Sequence, residues 1–170
     1  RKCYLVMEYV RGKSLGEYLR DGKRFSVNEI VKYGMEIADV FSYFHNRKPP
    51  VYYGDLKPDN LMMGENGRLY LIDLGGAVNG YKYQHKVCTG TTGFAAPEQY
   101  EGKINAATDI YTFGKTLSAL CGKRDYLLFI RNIALFWLIF RCCMKKPEMR
   151  YQNMQMVQKK LSRIQKRQSQ

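Results

Sequence analysis

The stretch V-Y-Y-G-D-L-K-P-D-N-L-M-M at residues 51–63 places an aspartate, a lysine and an asparagine within six residues, directly before a short apolar run. Because the proline and the closely spaced polar groups disfavour a helix, the stretch predicts a loop that runs into a short strand. Polar groups gathered where a loop meets a core usually serve a ligand rather than packing. Asp55, Lys57 and Asn60 are therefore candidate functional residues.

Local signals elsewhere in the chain predict a mostly helical body with a few short strands near its beginning. Serine precedes glutamate by three residues at 14–17 and at 26–29, the spacing of a capping box, and each box predicts the start of a helix. Asn66-Gly67 predicts a hairpin between strands at 61–63 and 69–72. The other expected elements are a strand from Tyr4 to Tyr9, a long mobile loop from Gly75 to Ala95, and helices at Thr108–Leu120, Leu127–Cys143 and Asn153–Ile164.

The composition indicates a single globular domain in a reducing compartment. The 170 residues are 45% hydrophobic and 25% charged, which is sufficient for a core and too apolar for a disordered chain. Five cysteines without a C-x-x-C pair favour reduced thiols in a cytoplasmic protein over a disulfide framework or a zinc site. The first eight residues lack a signal-peptide pattern, although a longer parent protein could carry a membrane anchor outside this sequence.

Two segments bear on membrane and nucleic-acid partners. The apolar run 126–143 is uninterrupted only over Ile133–Phe140, far short of the roughly 20 residues of a membrane span, so we expect a buried helix. The formal charge is +13, and a local basic block lies in the C-terminal tail, residues 158–170. This block is either a solvated helix face or disordered tail, or a contact surface for an anionic partner. No nucleic-acid partner is expected, because no aromatic–basic interleaving or recognition module is visible.

Further motifs follow the 51–63 stretch in a defined order. Asp73-Leu74-Gly75 stands at the end of the second hairpin strand. After it come G-T-T-G-F-A-A-P-E at 90–98, D-I-Y-T-F-G at 109–114 and C-M-K-K-P-E-M-R at 143–150. This order and spacing resembles the protein kinases, with matches to the catalytic loop, the D-F-G motif and the A-P-E motif. The sequence of residues 90–100 is similar to that of the same segment in bacterial kinases of the eukaryotic-like Ser/Thr type.

The resemblance implies a protein-kinase-like α+β fold, here mainly the helical C-terminal lobe with short β-hairpins at the catalytic and magnesium-binding loops. It places a hinge strand at residues 1–10, the catalytic loop at 51–63 and the activation segment at 73–98. The implied activity is transfer of a phosphoryl group from ATP, with Mg²⁺, to serine or threonine hydroxyls of a protein substrate. The Gly-rich loop, the strand lysine and its glutamate partner are expected before Arg1. We therefore expect the 170 residues alone to be inactive and to self-associate through the hinge-side face.

The resemblance also implies roles for individual residues. Asp55 would be the base that orients the acceptor hydroxyl, Lys57 the contact to the transferred phosphate, and Thr91 the threonine that bonds both. Asn60 and Asp73 would ligate Mg²⁺, since carboxylate and amide oxygens suit that cation. The residues implied in adenine binding are Met7 at the gatekeeper position, Glu8 and Val10 at the hinge, and Met62 at the floor of the pocket.

Three more polar residues are implied as structural. Glu98 and Arg150 would form a buried ion pair, and Asp109 would cap the backbone of the catalytic loop. The site assignments keep plainer alternatives, which are turn aspartates at Asp55 and Asp73, an exposed loop lysine at Lys57, and core methionines at Met7 and Met62.

The chain departs from the family pattern before the catalytic aspartate. Tyr53-Gly54 stands where kinases usually carry His-Arg, which makes this a non-RD variant. Because the missing arginine normally pairs with a phosphorylated activation loop, ordering of that loop by phosphate lacks its partner. Tyr53 could supply the bulk of the usual histidine to an apolar stack beneath Leu74. The departure leaves open a second interpretation, a pseudokinase or scaffold that binds without catalysing.

Overall fold

A computed structural model describes residues 8–80, 90–122 and 132–168 of the chain. Helices make up most of these residues, and short 3₁₀ turns connect several of them. The helices are α1 (Leu15–Arg20), α2 (Val27–His45), α3 (Ala106–Cys121), α4 (Ile133–Cys142) and α5 (Met154–Gln168). The 3₁₀ turns are Pro58–Asn60, Leu74–Gly76, Pro97–Glu101 and Pro147–Met149.

The described residues also form two small antiparallel sheets. Their strands are β1 (Gly12–Ser14), β2 (Val51–Tyr52), β3 (Leu61–Gly64), β4 (Leu69–Leu71) and β5 (Val78–Asn79). One sheet has the order β1-β3-β4, and β2 pairs with β5 in the other. Leu61 stands opposite Leu71, so the β3–β4 hairpin predicted around Asn66-Gly67 is confirmed. The β2–β5 pair brings the entry to the 51–63 loop beside the residues that follow Asp73.

Both predicted helix starts are confirmed. The Ser14 hydroxyl accepts from the Glu17 amide at 3.1 Å, and the Glu17 carboxylate accepts from the Ser14 amide at 2.7 Å. Ser26 and Glu29 make the same reciprocal pair at 3.2 and 2.8 Å. Each box satisfies amides that an open helix end would leave unpaired, a contribution of about 1 kcal/mol.

The core lies between α2, α3 and α5, and Tyr53, Leu56 and Leu61 of the 51–63 stretch belong to it. The long helix α2 packs along α5 and crosses α3. A Cβ at Gly34 would lie 3.3 Å from Leu161 and 3.4 Å from Leu117, so the glycine allows the three helices to approach closely. The fully buried side chains of the core include Ile30, Phe41, Ile110, Phe113, Leu117 and Leu161.

Several expectations need correction or lie outside the described residues. The strand Tyr4–Tyr9 falls mostly outside them, and Glu8 and Tyr9 are irregular. Strands β1, β2 and β5 had not been predicted, because two or three residues are too few to show a period. The helix expected at Leu127–Cys143 starts, within the described residues, only at Ile133, where Asn132 caps it by accepting from the Leu135 amide.

The expectation that this apolar helix is buried is wrong for one of its faces. Ile133, Trp137 and Phe140 expose 66%, 56% and 48% of their surface. The spacing of these three residues puts them on one side of α4, while Leu135, Leu138 and Ile139 enter the core. A run that is apolar all round therefore has a solvent-facing side here.

The basic segment 158–170 is helical as far as Gln168, as the end of α5. Its apolar residues Leu161 and Ile164 are buried, and its cations are on the outer side. Among the residues that the structure describes, no helix combines the length and the apolarity that a bilayer crossing requires.

Candidate functional site

The backbone at Gly54 turns sharply just before Asp55. Gly54 has φ +71°, a left-handed conformation that glycine adopts without the steric penalty of a side chain. Its amide donates to Asp109 at 2.7 Å, and its carbonyl accepts from the Gln99 side-chain amide at 2.8 Å. The glycine that breaks the family pattern therefore sits at a position where the local backbone favours it.

Asp109 fixes this turn from beneath. The carboxylate is fully buried on α3 and accepts from the amides of Tyr53, at 3.0 and 3.1 Å, and Gly54. His45, at the end of α2, contributes a further contact, with its Nε2 2.8 Å from Asp109 Oδ2. A buried carboxylate is stable only when donors surround it, and here two backbone amides and an imidazole do so. Asp109 thus makes the cap that was expected of it.

Asp55, Lys57 and Thr91 form one hydrogen-bonded cluster. Asp55 Oδ1 accepts from the Thr91 hydroxyl at 2.7 Å and from the Thr91 amide at 3.1 Å. Lys57 Nζ donates to the Thr91 hydroxyl at 2.8 Å and lies 3.3 Å from Asp55 Oδ2. The segment that carries Thr91 is thereby tied to the loop that carries the other two residues, and all three groups share a partly buried location.

Asn60 ties the far end of the loop to the same carboxylate. Its side-chain nitrogen donates to the Asp55 carbonyl at 2.9 Å and lies 3.4 Å from Asp55 Oδ2. Its own carbonyl accepts from the Ile72 amide at 3.0 Å, so Asp73 comes directly after the residue that pairs with Asn60 at this end of the hairpin. The backbone of the loop and the hairpin together bring Asp55, Asn60 and Asp73 to one end of the sheet.

Asp73 has an unusual backbone conformation. Among the residues that the structure describes, Asp73 is the non-glycine residue with a positive φ, at 60°. This backbone conformation is energetically costly and concentrates at functional sites. Its Oδ1 accepts from the Gly75 amide at 3.2 Å, as a turn aspartate would, and the residue is exposed. The carboxylate of Asp73 and the amide oxygen of Asn60 are the kind of oxygen donors that Mg²⁺ prefers. The chemistry of these two donors therefore suits the implied cation.

Tyr53 fills the space beneath the loop. Its ring is buried, lies 6.0 Å from that of Phe41, and its hydroxyl donates to the Ile72 carbonyl at 2.8 Å. Desolvation by this burial raises the pKa of Tyr53 well above its ordinary value, so the hydroxyl stays a donor. Leu74, under which an apolar stack had been expected, is 55% exposed. Tyr53 thus braces the loop through Phe41 and the Ile72 carbonyl.

Glu98 and Arg150 form the expected buried pair. The guanidinium is fully buried and donates to both Glu98 oxygens, at 2.6 and 2.9 Å. Burial alone would raise the pKa of Glu98, but the hydrogen bonds from Arg150, its charge and the Thr108 hydroxyl hold the pKa below its usual value. The remaining guanidinium N–H groups donate to the carbonyls of Met144, Lys145 and Ala107.

Of the residues implied in adenine binding that the structure describes, Glu8 and Val10 share a cavity that Met62 does not line. Met7 lies outside the described residues. Glu8 and Val10 line an open cavity of about 260 Å³ with Gly64 and Tyr70. Met62 is half-buried in the middle of β3 and does not line this cavity.

Two residues that hold the site had not been predicted. Gln99 is fully buried and accepts from the Ala96 amide at 2.8 Å while it donates to Gly54. His45 contacts Asp109 across 64 positions of sequence. Nothing in the local pattern around either residue indicates these long-range bonds.

The sequence of the chain is similar to those of several known proteins. A family model described as the protein kinase domain matches residues 1–166. A probable serine/threonine-protein kinase of Clostridium acetobutylicum is 31% identical, over 95% of this chain and 28% of that protein. Serine/threonine-protein kinase PknG of Mycolicibacterium smegmatis is 43% identical over 69% and 14%. The Aurora/IPL1-related protein kinase 2 of Caenorhabditis elegans is 36% identical over 67% and 37%. The chain thus spans between 14% and 37% of the length of these relatives.

Proposed function

The chain belongs to the protein kinase family, and we propose that the full-length protein transfers the γ-phosphoryl group of ATP to serine or threonine hydroxyls of protein substrates. The observation that carries this proposal is the cluster of Asp55, Lys57 and Thr91. A carboxylate, a cation and a hydroxyl held within hydrogen-bond reach of one another suit a reaction that needs positioning and charge stabilisation more than covalent catalysis.

Each member of the cluster has a defined task in the proposal. Asp55 accepts a hydrogen bond from the substrate hydroxyl and takes its proton as the oxygen bonds to the γ-phosphorus and the bond to the ADP oxygen breaks. Lys57, between Asp55 and Thr91, offers positive charge to the transferred phosphoryl group. Thr91 holds both side chains in place and keeps the activation segment against the loop.

Asn60 and Asp73 would hold Mg²⁺. The cation, when bound, neutralises negative charge on the phosphates. The contribution of the chain is to fix the two ligands: the Asn60 nitrogen is engaged by Asp55, and the left-handed backbone at Asp73 sets its carboxylate after the hairpin. For the adenine we propose Met7, Glu8, Val10 and Met62, as the family pattern implies.

A second candidate function is a binding module that holds nucleotide or protein without catalysing transfer. The bond from the Gly75 amide to Asp73 Oδ1 favours it, because this bond suits an aspartate that serves its own turn. The intact cluster around Asp55 favours catalysis instead.

The test is a transfer assay with the purified full-length protein, γ-labelled ATP, Mg²⁺ and a general acceptor protein. We expect label on phosphoserine or phosphothreonine and none on phosphotyrosine, and we expect transfer to stop when a chelator removes Mg²⁺. Nucleotide binding with no transfer at any Mg²⁺ concentration would contradict the proposal and favour the binding module.

A prediction on regulation arises from Gly54. Because no arginine stands there to pair with a phosphate, and because the Thr91 hydroxyl already bonds Asp55 and Lys57, activity should not require phosphorylation of Thr89, Thr91 or Thr92. Phosphatase treatment of the full-length protein should leave its initial rate nearly unchanged. A large loss that autophosphorylation restores would contradict this, and a mock-treated sample is the control.

A further inference from the structure

A cavity of about 230 Å³ lies between α4 and α5, formed by residues outside the cluster around Asp55. Its lining is mixed, and the buried Leu138 and Ile164 supply apolar surface in it. Trp137, which is more than half exposed, and the buried Tyr151 also line it. A recess with apolar surface and an exposed tryptophan in its lining is the kind of pocket that receives an anchor side chain.

Three cations stand along one side of the cavity. Lys160, Arg163 and Arg167 all line it, and all are exposed on α5. At 1.5 Å of rise per residue, they cover about 10 Å along the helix. Within residues 8–80, 90–122 and 132–168, none of the three takes part in an ion pair. Neither α4 nor α5 contains an aspartate or glutamate, so the positive charge has no neutralising group on either helix.

The exposed tryptophan is already oriented. The Trp137 ring lies edge-on to Phe136 and to Phe140, each at 5.6 Å between centroids. Such contacts restrict the rotamers of the tryptophan before any ligand arrives, which lowers the entropy lost on binding. Ile133 and Phe140 extend the apolar surface beside it.

We propose that this cavity docks a short acidic segment of a partner protein. One aromatic or large aliphatic side chain of the segment enters between Trp137 and Ile164, and carboxylates lie over Lys160, Arg163 and Arg167. Charge complementarity favours a negatively charged partner, since every charged group that lines the cavity is a cation. The volume suits one large side chain, because pockets for whole small molecules are typically about 300 to 1,000 Å³.

The shape of the site favours a peptide over other anionic partners. A flat membrane surface would contact the outer edge of Trp137 and leave the recess behind it unfilled. Single-stranded nucleic acid uses successive exposed rings as stacking platforms, whereas the inner surface here is aliphatic at Leu138 and Ile164. An extended peptide advances about 3.3 Å per residue, so the cations are matched by acidic residues within three or four positions of the anchor.

The experiment is a selection from a random twelve-residue display library against the full-length protein. We expect enriched peptides to combine at least two acidic residues with one aromatic or large aliphatic residue. The double variant Lys160→Gln with Arg163→Gln should lower the affinity for an enriched peptide by about tenfold, since each substitution removes a charge-assisted contact. Trp137→Ser should also lower this affinity about tenfold, because the contact with the anchor side chain is lost. All three positions are exposed, so the fold is spared.

The matched control is Lys159→Gln with Lys166→Gln. These two lysines are on the same helix, carry the same charge and do not line the cavity. This double variant should change peptide affinity by about twofold or less, because salt in the solvent screens the interaction of these two distant charges with the peptide. Equal losses from both pairs would overturn the proposal, since they would show a response to net charge alone. Enrichment without acidic residues, or binding only to phosphatidylserine vesicles or to single-stranded DNA, would also overturn it.

Discussion

Asp55→Asn in the full-length protein is expected to lower the rate of phosphoryl transfer by about 10²- to 10⁴-fold, the contribution typical of a positioned general base. The asparagine oxygen can still accept from the Thr91 amide and hydroxyl, which in the native cluster lie 3.1 and 2.7 Å from Oδ1. The loop should therefore keep its shape, while the proposed proton acceptor is lost. We expect kcat to fall and the KM for ATP to change little.

The control for this variant is Asp39→Asn. Asp39 is an exposed acid on α2 whose side chain accepts from Gln158 on α5. It makes the same chemical change without touching Asp55, Lys57 or Thr91, so its rate should equal that of the unmodified protein. A rate close to normal in Asp55→Asn, with that control also normal, would remove Asp55 from the proposed mechanism.

The contacts that sequence could predict are those that a motif specifies at both ends. Thr91 with Asp55, Asp109 with the loop backbone, and Glu98 with Arg150 each join two such segments, and all three contacts are present. The hairpin at Asn66-Gly67 and the two capping boxes were predictable because their signals are local. The catalytic and metal-binding roles of these residues stay predictions.

What sequence could not predict depends on contacts between distant segments. His45 and Gln99 complete the support of the Tyr53-Gly54 turn, but each is one polar residue in an ordinary helical or turn context. The β2–β5 pair is two residues long, too short for any period to show. The exposed side of α4 escaped prediction because a wholly apolar run gives no indication of which side faces solvent.

Arg150→Met is expected to lower the free energy of unfolding by about 3 to 5 kcal/mol, because it leaves the carboxylate of Glu98 buried without a cation. The side chain also stacks on Tyr111, with the guanidinium carbon 4.8 Å from the ring centroid, and donates to three carbonyls that would lose a partner. Urea denaturation followed by far-UV circular dichroism measures the change.

The control is Lys103→Met, which removes an exposed cation from its pair with Glu101. It should leave the denaturation midpoint unchanged, since exposed pairs contribute little. Equal midpoints for the two variants would mean that burial of the Arg150 pair does not contribute to stability.

The same pair predicts how stability depends on pH. The pKa of Glu98 is lower in the folded chain than its unfolded value of about 4.3, so the stabilisation is present above that value and is lost as pH falls through the folded pKa. Glu98→Gln cannot lose a charge in this way. Its unfolding free energy should therefore decline less than that of the unmodified chain between pH 6 and pH 3, each about one unit or more from the unfolded value. Identical declines in the two proteins would show that the pKa of Glu98 does not change on unfolding.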